Sequence, residues 1–413
     1  MRESETHKVT VACSFCKKKK SDAADVLVVG PGVSICGDCA RLCLHYINQR
    51  VTQMDAWPTD KPQPARADHS ALQYLQYRIL THYTEACLIA NGKMPAPRTA
   101  IVYPTYICNQ NCVWCEYAQD NAENRAIMPD ERLFQLLEDL RDLGVRGVEF
   151  CGGGEPTLHP QFTEAVRRTH KLGMGIGLLT NGTMLKGELA GLLVDTASYV
   201  RVGFDAASGE MMDRVKRPNS PVAGFDAVCA NIANMVQLRN ERDTRLLISM
   251  KVVLDATNYG EVEDCVKLAL KLGVDSIQFK AARLCDTELT ADQATHVGTE
   301  LRALRARYPE LPIVGGVEKL NMTTQCWLTP LQVTIDPLGD VYLCCYYRHR
   351  KESHCIGNAF SEPLRDVWYS QRHQRAIRAI KPLECNVLDC RFVHYNRIMS
   401  QLLTEGQGQF EFI

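Results

Sequence analysis

Net charge, a secretory leader and long apolar runs are all missing from this 413-residue chain. Its 47 Lys and Arg balance 48 Asp and Glu to a formal charge of −1. No global field therefore draws it to nucleic acid. The opening Met1-Arg2-Glu3-Ser4-Glu5 is polar and has no apolar core of a signal peptide. No apolar run is long enough for a membrane span. Cysteine, by contrast, is abundant, at nineteen. In a large chain without a leader, that number points to metals in a reducing compartment rather than to disulfides, so the expected location is the cytoplasm.

Three of those cysteines, Cys108, Cys112 and Cys115, fall within eight residues, directly after the apolar run Ala100-Ile101-Val102-Tyr103. A four-iron cluster uses one thiolate per iron. Three close thiolates leave one iron open, although a zinc site completed by a remote cysteine uses the same residues. Phe150-Cys151-Gly152-Gly153-Gly154-Glu155-Pro156-Thr157 ends a second strand-like run. Glycines there let the backbone approach a ligand closely.

Together the C-x3-C-x2-C loop, with Trp114 before its last cysteine, and the Gly-Gly-Glu-Pro turn resemble the radical S-adenosylmethionine (SAM) superfamily. The resemblance implies that Cys108, Cys112 and Cys115 hold a [4Fe–4S] cluster whose fourth iron chelates SAM. It implies reductive cleavage of SAM to a 5′-deoxyadenosyl radical, which takes a hydrogen atom from a substrate C–H bond. Trp114, Gly153, Gly154, Glu155 and Asn181 would lie at the cofactor. Thr180-Asn181-Gly182 and Val202-Gly203-Phe204-Asp205-Ala206 resemble family stretches near SAM, although Gly203 stands where many members carry serine.

Strands and helical segments alternate from about residue 99: Ala100–Tyr103, Gly147–Phe150, Ile176–Thr180, Tyr199–Phe204, Leu247–Leu254 and Ser276–Phe279 read as strands. The clearest helix runs from Pro129 to Leu143, with Gly144 as its stop. Such alternation implies a parallel sheet. Six units match the partial (β/α)6 TIM-type barrel of the family, an α/β fold with its chemistry at the carboxyl ends of the strands. Strand parity puts Arg201, Gly203 and Asp205 on one face, and likewise Ser249 with Lys251 and Gln278 with Lys280. Charge on a strand flanked by helices is costly unless it lines a polar cavity. All of these residues, Asp205, Lys251 and Lys280 among them, are therefore expected to face the lumen and contact SAM or substrate.

Cys13-x2-Cys16 and Cys36-x2-Cys39, 19 residues apart, have the spacing of a four-thiolate zinc site. Val26–Val29 reads as a strand, Gly30-Pro31-Gly32 as a turn, and Ala40–Arg50 as a helix. The module is treble-clef-like and resembles the zinc-binding N-terminal domain of the ClpX unfoldase, which implies docking or dimerisation rather than catalysis. Lys17–Lys20 reads as a solvated loop, and Cys43 as helix packing.

At the other end, Cys326-x12-Gly339-x4-Cys344 lies on an expected hairpin, Gln332–Ile335 with Val341–Cys344, and Cys385-x4-Cys390 follows. This resembles the SPASM/twitch extension of radical SAM enzymes. It implies an auxiliary [4Fe–4S] cluster on Cys326, Cys344, Cys385 and Cys390, with Cys345 or Cys355 as substitutes. Four thiolates also suit a second zinc. The C-x2-C-x5-C-x3-C run of a full two-cluster SPASM domain is absent. Cys87, Cys151, Cys229, Cys265 and Cys285 have no partner spacing and read as ordinary buried cysteines.

The expected domains are a zinc module at 8–50, a Pro-containing linker at 51–67, a covering helix within 68–98, the barrel at 99–315 and the cluster extension at 316–413. The expected activity is oxidation, cross-linking or epimerisation of a peptide or protein. The alternatives are a dehydrogenase or epimerase of an aminocyclitol-type small molecule, or a non-catalytic zinc adaptor. The family also implies a one-electron donor such as flavodoxin or ferredoxin. No catalytic side chain is assigned, although Cys285 is a candidate donor of a last hydrogen atom.

Overall fold

The computed structural model describes residues 28–30, 33–35, 79, 81–118, 120–387, 390, 392–401 and 403. The chain divides into two compact units, Met1–Pro64 and Ala65–Ile413. In the first, β1 (Val28–Gly30) pairs antiparallel with β2 (Val33–Ile35), Val28 opposite Ile35. The four expected zinc cysteines, Cys43, the lysine run and the Ala40–Arg50 helix lie outside the described residues.

The second unit is built on one ten-stranded sheet. β3 (Thr99–Val102), β4 (Gly147–Phe150), β5 (Gly175–Thr180), β6 (Tyr199–Gly203), β7 (Leu247–Leu254), β8 (Ser276–Ala281) and β9 (Ile313–Gly316) run parallel in chain order. All six expected strands are present within a residue or two, and the family's six units extend to a seventh in β9.

The cluster extension is not a separate layer. β10 (Gln332–Ile335) returns parallel to β3, with Gln332 opposite Thr99. β11 (Asp340–Tyr342) and β12 (Cys355–Asn358) then extend the sheet antiparallel. Sequence distance hid this contact, because nothing local in β10 names β3 as its neighbour. The hairpin turn itself was legible. Gly339 has φ +84°, and a Cβ there would stand 2.5 Å from the Phe360 ring.

The core lies between the sheet and the helices. The helix Asp130–Leu143 buries Leu133, Leu136, Leu137, Leu140 and Leu143, and Gly144 ends it at φ +110°. Each fully buried leucine contributes about 1.5–3 kcal/mol. Opposite them, Val148, Phe150, Ile176, Leu178, Val200 and Val202 complete the same cluster. Alternation then sends Glu149, Gly177 and Arg201 to the other face of the sheet. Among the described residues before the sheet, the covering helix is Tyr83–Ala90, closed by Asn91 Nδ2 donating to the Cys87 carbonyl at 2.8 Å. Residues 68–78, the start of the expected covering segment, lie outside the described residues. Tyr83, the first residue of the helix, is 55% exposed. Among the described residues no helix is long and apolar enough to cross a membrane.

Candidate functional site

The stretch after β3 is held from two sides. Asn111 N donates to the Lys216 carbonyl at 2.9 Å and Val113 N to the Val215 carbonyl at 3.0 Å. Asn219 N donates back to the Asn109 carbonyl at 3.1 Å. These bonds strap Cys108–Cys115 to the end of the helix Gly209–Val215. Cys108, Cys112 and Cys115 are half-buried free thiols. Burial pushes Cys108 up to about 12 and Cys115 up to about 11. It also raises Cys112, against the pull of the Lys216 ammonium. Such thiols keep their protons until a metal displaces them.

The glycine turn after β4 grips the cysteine loop from the other side. Gly154 N donates to the Thr105 carbonyl at 3.0 Å and Glu155 N to the Ile107 carbonyl at 2.8 Å. The approach leaves no room for side chains. A Cβ on Gly154 would stand 2.2 Å from the Ile107 carbonyl oxygen, and one on Gly153 would stand 2.3 Å from the Tyr106 ring. With its amide turned to donate, Asn121 reaches the Tyr106 and Gly153 carbonyls, both at 2.6 Å.

Glu155 is buried, and its carboxylate is committed to the protein. Oε1 accepts from Thr157 N at 3.1 Å, Thr157 Oγ1 at 2.5 Å and Thr180 Oγ1 at 2.6 Å; Oε2 accepts from Asn181 N at 2.7 Å. Burial raises its pKa, and these donors oppose that rise. The side chain thus ties the glycine turn to the end of β5. Asn181 continues the brace, donating through Nδ2 to Asn109 Oδ1 at 2.7 Å.

Asp205 sits just past β6 in the left-handed region, φ +61°, which non-glycine residues rarely adopt. Its carboxylate accepts from Lys216 Nζ at 2.8 Å and from Val253 N at 2.6 Å. Lys216 also donates to the Gly203 carbonyl at 2.8 Å. Burial opposes its charge, but the Asp205 carboxylate and then the Cys112 thiol outweigh that, so Lys216 is held above the ordinary lysine value. A Cβ on Gly203 would lie 3.7 Å from Lys216 Nζ, so the lysine stands beside the position where serine is usual. Strand parity missed Lys216 because it follows a helix rather than lying on a strand. Lys251, opposite Gly203 in the register, is lowered by burial.

Below this level Arg201, Gln278 and Lys280 line a cavity of about 1320 Å³ together with Glu149, Tyr199 and Gln332. Parity thus brings these polar groups into one lumen. The Arg201 guanidinium lies 5.6 Å from the Tyr199 ring centroid, and Tyr199 OH donates to Glu149. Trp114 packs on the main core.

Cys326, Cys344, Cys385 and Cys390 all line a second, small cavity with Arg350 and His354. Arg350 Nη1 lies 3.3 Å from Cys385 Sγ. Burial raises Cys326 and Cys344 and pushes Cys390 up to about 12. Cys345 packs instead against a group of tyrosines, and Cys355 Sγ points to the Gly357 carbonyl. Cys390 also borders the large lumen. Among the described residues no three His, Cys, Asp or Glu groups close tightly enough around one metal ion. A four-iron cluster, with each thiolate on its own iron, takes a wider ring than a tetrahedral ion. Of the five cysteines expected to be buried, Cys151 and Cys265 are; Cys87, Cys229 and Cys285 are only partly so.

Residues 102–279 match the family model of the Radical SAM superfamily, 326–391 that of the SPASM iron-sulfur cluster-binding domain, and 11–49 that of the ClpX C4-type zinc finger. The chain is 26% identical to PqqA peptide cyclase of Streptomyces rochei, over 70% of this chain and 80% of that one. It is 25% identical to mycofactocin maturase MftC of Mycobacterium tuberculosis H37Rv, over 66% and 71%. In fold it is similar to Streptococcus suis SuiB bound to S-adenosylmethionine, with TM-score 0.60 and 15% identity, covering 83% of this chain and 79% of that one. SuiB bound to precursor peptide SuiA gives TM-score 0.59 at 13% identity, covering 86% and 82%.

Proposed function

Because the chain belongs to the radical SAM superfamily, with a SPASM domain and a ClpX-type C4 zinc finger, we propose that it modifies a peptide or protein by removing a hydrogen atom. The observation that carries this reading is the joint between cysteine loop and glycine turn at the carboxyl end of the sheet, above a polar lumen. Likeness to a PqqA peptide cyclase and to a mycofactocin maturase over about two thirds of the chain supports the substrate class.

When bound, the cluster and SAM supply one-electron cleavage to methionine and a 5′-deoxyadenosyl radical. Cys108, Cys112 and Cys115 would hold three irons and leave the fourth to SAM. Gly153 and Gly154 would admit the methionyl end, with Glu155 and Asn181 bracing the turn that receives it. Trp114 would support the loop from the core side. Lys216 would neutralise Asp205 beside the thiolates, and Lys251 would face the cofactor from the next strand. Lys280, with Arg201 and Gln278, would orient the substrate in the lumen.

Cys326, Cys344, Cys385 and Cys390 would hold the auxiliary [4Fe–4S] cluster, and Cys13, Cys16, Cys36 and Cys39 a structural zinc. A flavodoxin or ferredoxin as electron donor, a dimer or adaptor contact through the finger, and a cytoplasmic location complete the reading. A single auxiliary thiol ring favours the second reading, oxidation of a hydroxylated small molecule.

The test is anaerobic reconstitution, with iron, sulfide and zinc counted, followed by SAM and dithionite. About eight irons and one zinc are expected, with deoxyadenosine formed by the wild type and lost in Cys112→Ala. About four irons and two zincs would remove the auxiliary cluster. The substrate class is tested by co-expression with each short reading frame beside the gene. A peptide whose mass falls by lost hydrogen supports the proposal, and unchanged peptides favour the small molecule.

A further inference from the structure

Five tyrosines form one buried string between the cysteine loop and the segment that carries Cys344. The rings of Tyr103 and Tyr117 meet edge-on at 5.8 Å, and Tyr103 and Tyr347 lie at 5.9 Å. Tyr347 stacks on Tyr342 at 3.7 Å. The hydroxyls are linked as well: Tyr103 with Tyr117 at 3.3 Å and Tyr106 with Tyr347 at 3.1 Å. Tyr106 donates to Asp336 Oδ2 at 2.9 Å, and Tyr342 to the same oxygen at 3.3 Å.

One end touches the glycine turn, since a Cβ on Gly153 would lie 3.2 Å from the Tyr117 ring. The other lies two residues before and three residues after Cys344. Phenylalanine would fill the same space without buried hydroxyls to satisfy. The arrangement therefore does more than pack. A phenolic O–H is a far easier hydrogen-atom donor than an aliphatic C–H. A phenol keeps its proton at neutral pH, so each hydroxyl in the string has a hydrogen to give.

We propose that this tyrosine string quenches a 5′-deoxyadenosyl radical formed when no substrate hydrogen is in reach. The proposal rests on the radical reading above. Tyr117 gives up its hydroxyl hydrogen atom: the O–H bond breaks, a C5′–H bond forms, and the products are deoxyadenosine and a phenoxyl radical. Tyr117 then takes a hydrogen atom from Tyr103, leaving the phenoxyl on Tyr103 against the Tyr347 ring. One electron passing through Tyr347 and Tyr342 from the reduced auxiliary cluster, with one proton, restores the phenol. The proton comes from solvent water, and Asp336 is the carboxylate that accepts from Tyr106 and Tyr342 and fixes their hydroxyls.

The phenolic hydrogen exchanges with water, whereas carbon-bound hydrogens do not. The reconstituted enzyme is therefore run in D2O with SAM and dithionite but no substrate. Deuterium is expected in the deoxyadenosine. A freeze-quenched phenoxyl signal is also expected, with hyperfine splitting that narrows when the tyrosines are ring-deuterated. Both are lost in a Tyr103→Phe/Tyr117→Phe double variant whose iron content and circular dichroism match wild type. In Tyr347→Phe the phenoxyl signal persists longer. Deoxyadenosine free of deuterium overturns the proposal, as does label retained in the double variant, which would point to a thiol donor. Deoxyadenosine formed only when substrate is present also overturns it, because no stray radical then arises. Its absence even with substrate removes the radical reading itself.

Discussion

Lys216 and Asp205 form an ion pair that is 6% and 4% exposed, beside the Cys112 thiol. Removing one partner leaves the other charge buried and uncompensated, which typically costs about 3–5 kcal/mol. Lys216→Met is therefore expected to lower the urea midpoint strongly, and Asp205→Asn similarly. The double variant should recover part of the loss, because no lone charge remains. If each single variant unfolds like wild type, the pair does not hold the loop. At this scale the sequence was only partly readable. Asp205 could be found by counting along a strand. Lys216 could not, because its role depends on a fold-back that places a helix end against Gly203. Glu155 was visible as part of a motif, yet nothing local told that Thr157, Thr180 and Asn181 would take up its whole carboxylate.

Among the elements, the parallel strands were legible because each is a short apolar run followed by a helix with its own stop, as at Gly144. The alternation that sends Arg201, Gln278 and Lys280 into the lumen was legible for the same reason. The neighbour of β3 was not, since pairing with a strand that follows six other strands in the chain leaves no periodic trace. The hairpin β10–β11 carries both that pairing and the approach to Cys344. It turns on Gly339, where any side chain meets both a left-handed backbone and the Phe360 ring. Gly339→Val is expected to cost at least about 1–2 kcal/mol from the backbone alone. Under the proposed two-cluster reading, the reconstituted variant should lose iron from the Cys326/Cys344/Cys385/Cys390 ring before iron from the Cys108 loop. Iron counted during gentle chelation checks this, and equal loss from both would separate the hairpin from the auxiliary site.

As a whole molecule the chain joins a sheet-based unit to a small one bearing the ClpX-type finger. Under the docking role proposed for that small unit, deleting residues 1–50 should leave deoxyadenosine formation intact and raise the KM for the modified substrate with kcat little changed. An unchanged KM would show that the finger does not recruit substrate. The sheet-based unit carries a different consequence, one of timing. Tyr106 meets Tyr347 across 241 residues, and Trp368 Nε1 donates to the Pro95 carbonyl at 2.9 Å across 273. At roughly 5–20 residues per second of synthesis, β3 waits on the order of 10–50 s for the strand that covers its edge. Until then the nascent chain exposes an apolar edge beside three uncovered thiols. Production of this protein should thus depend on the chaperones and iron supply present during translation, well before any SAM is bound.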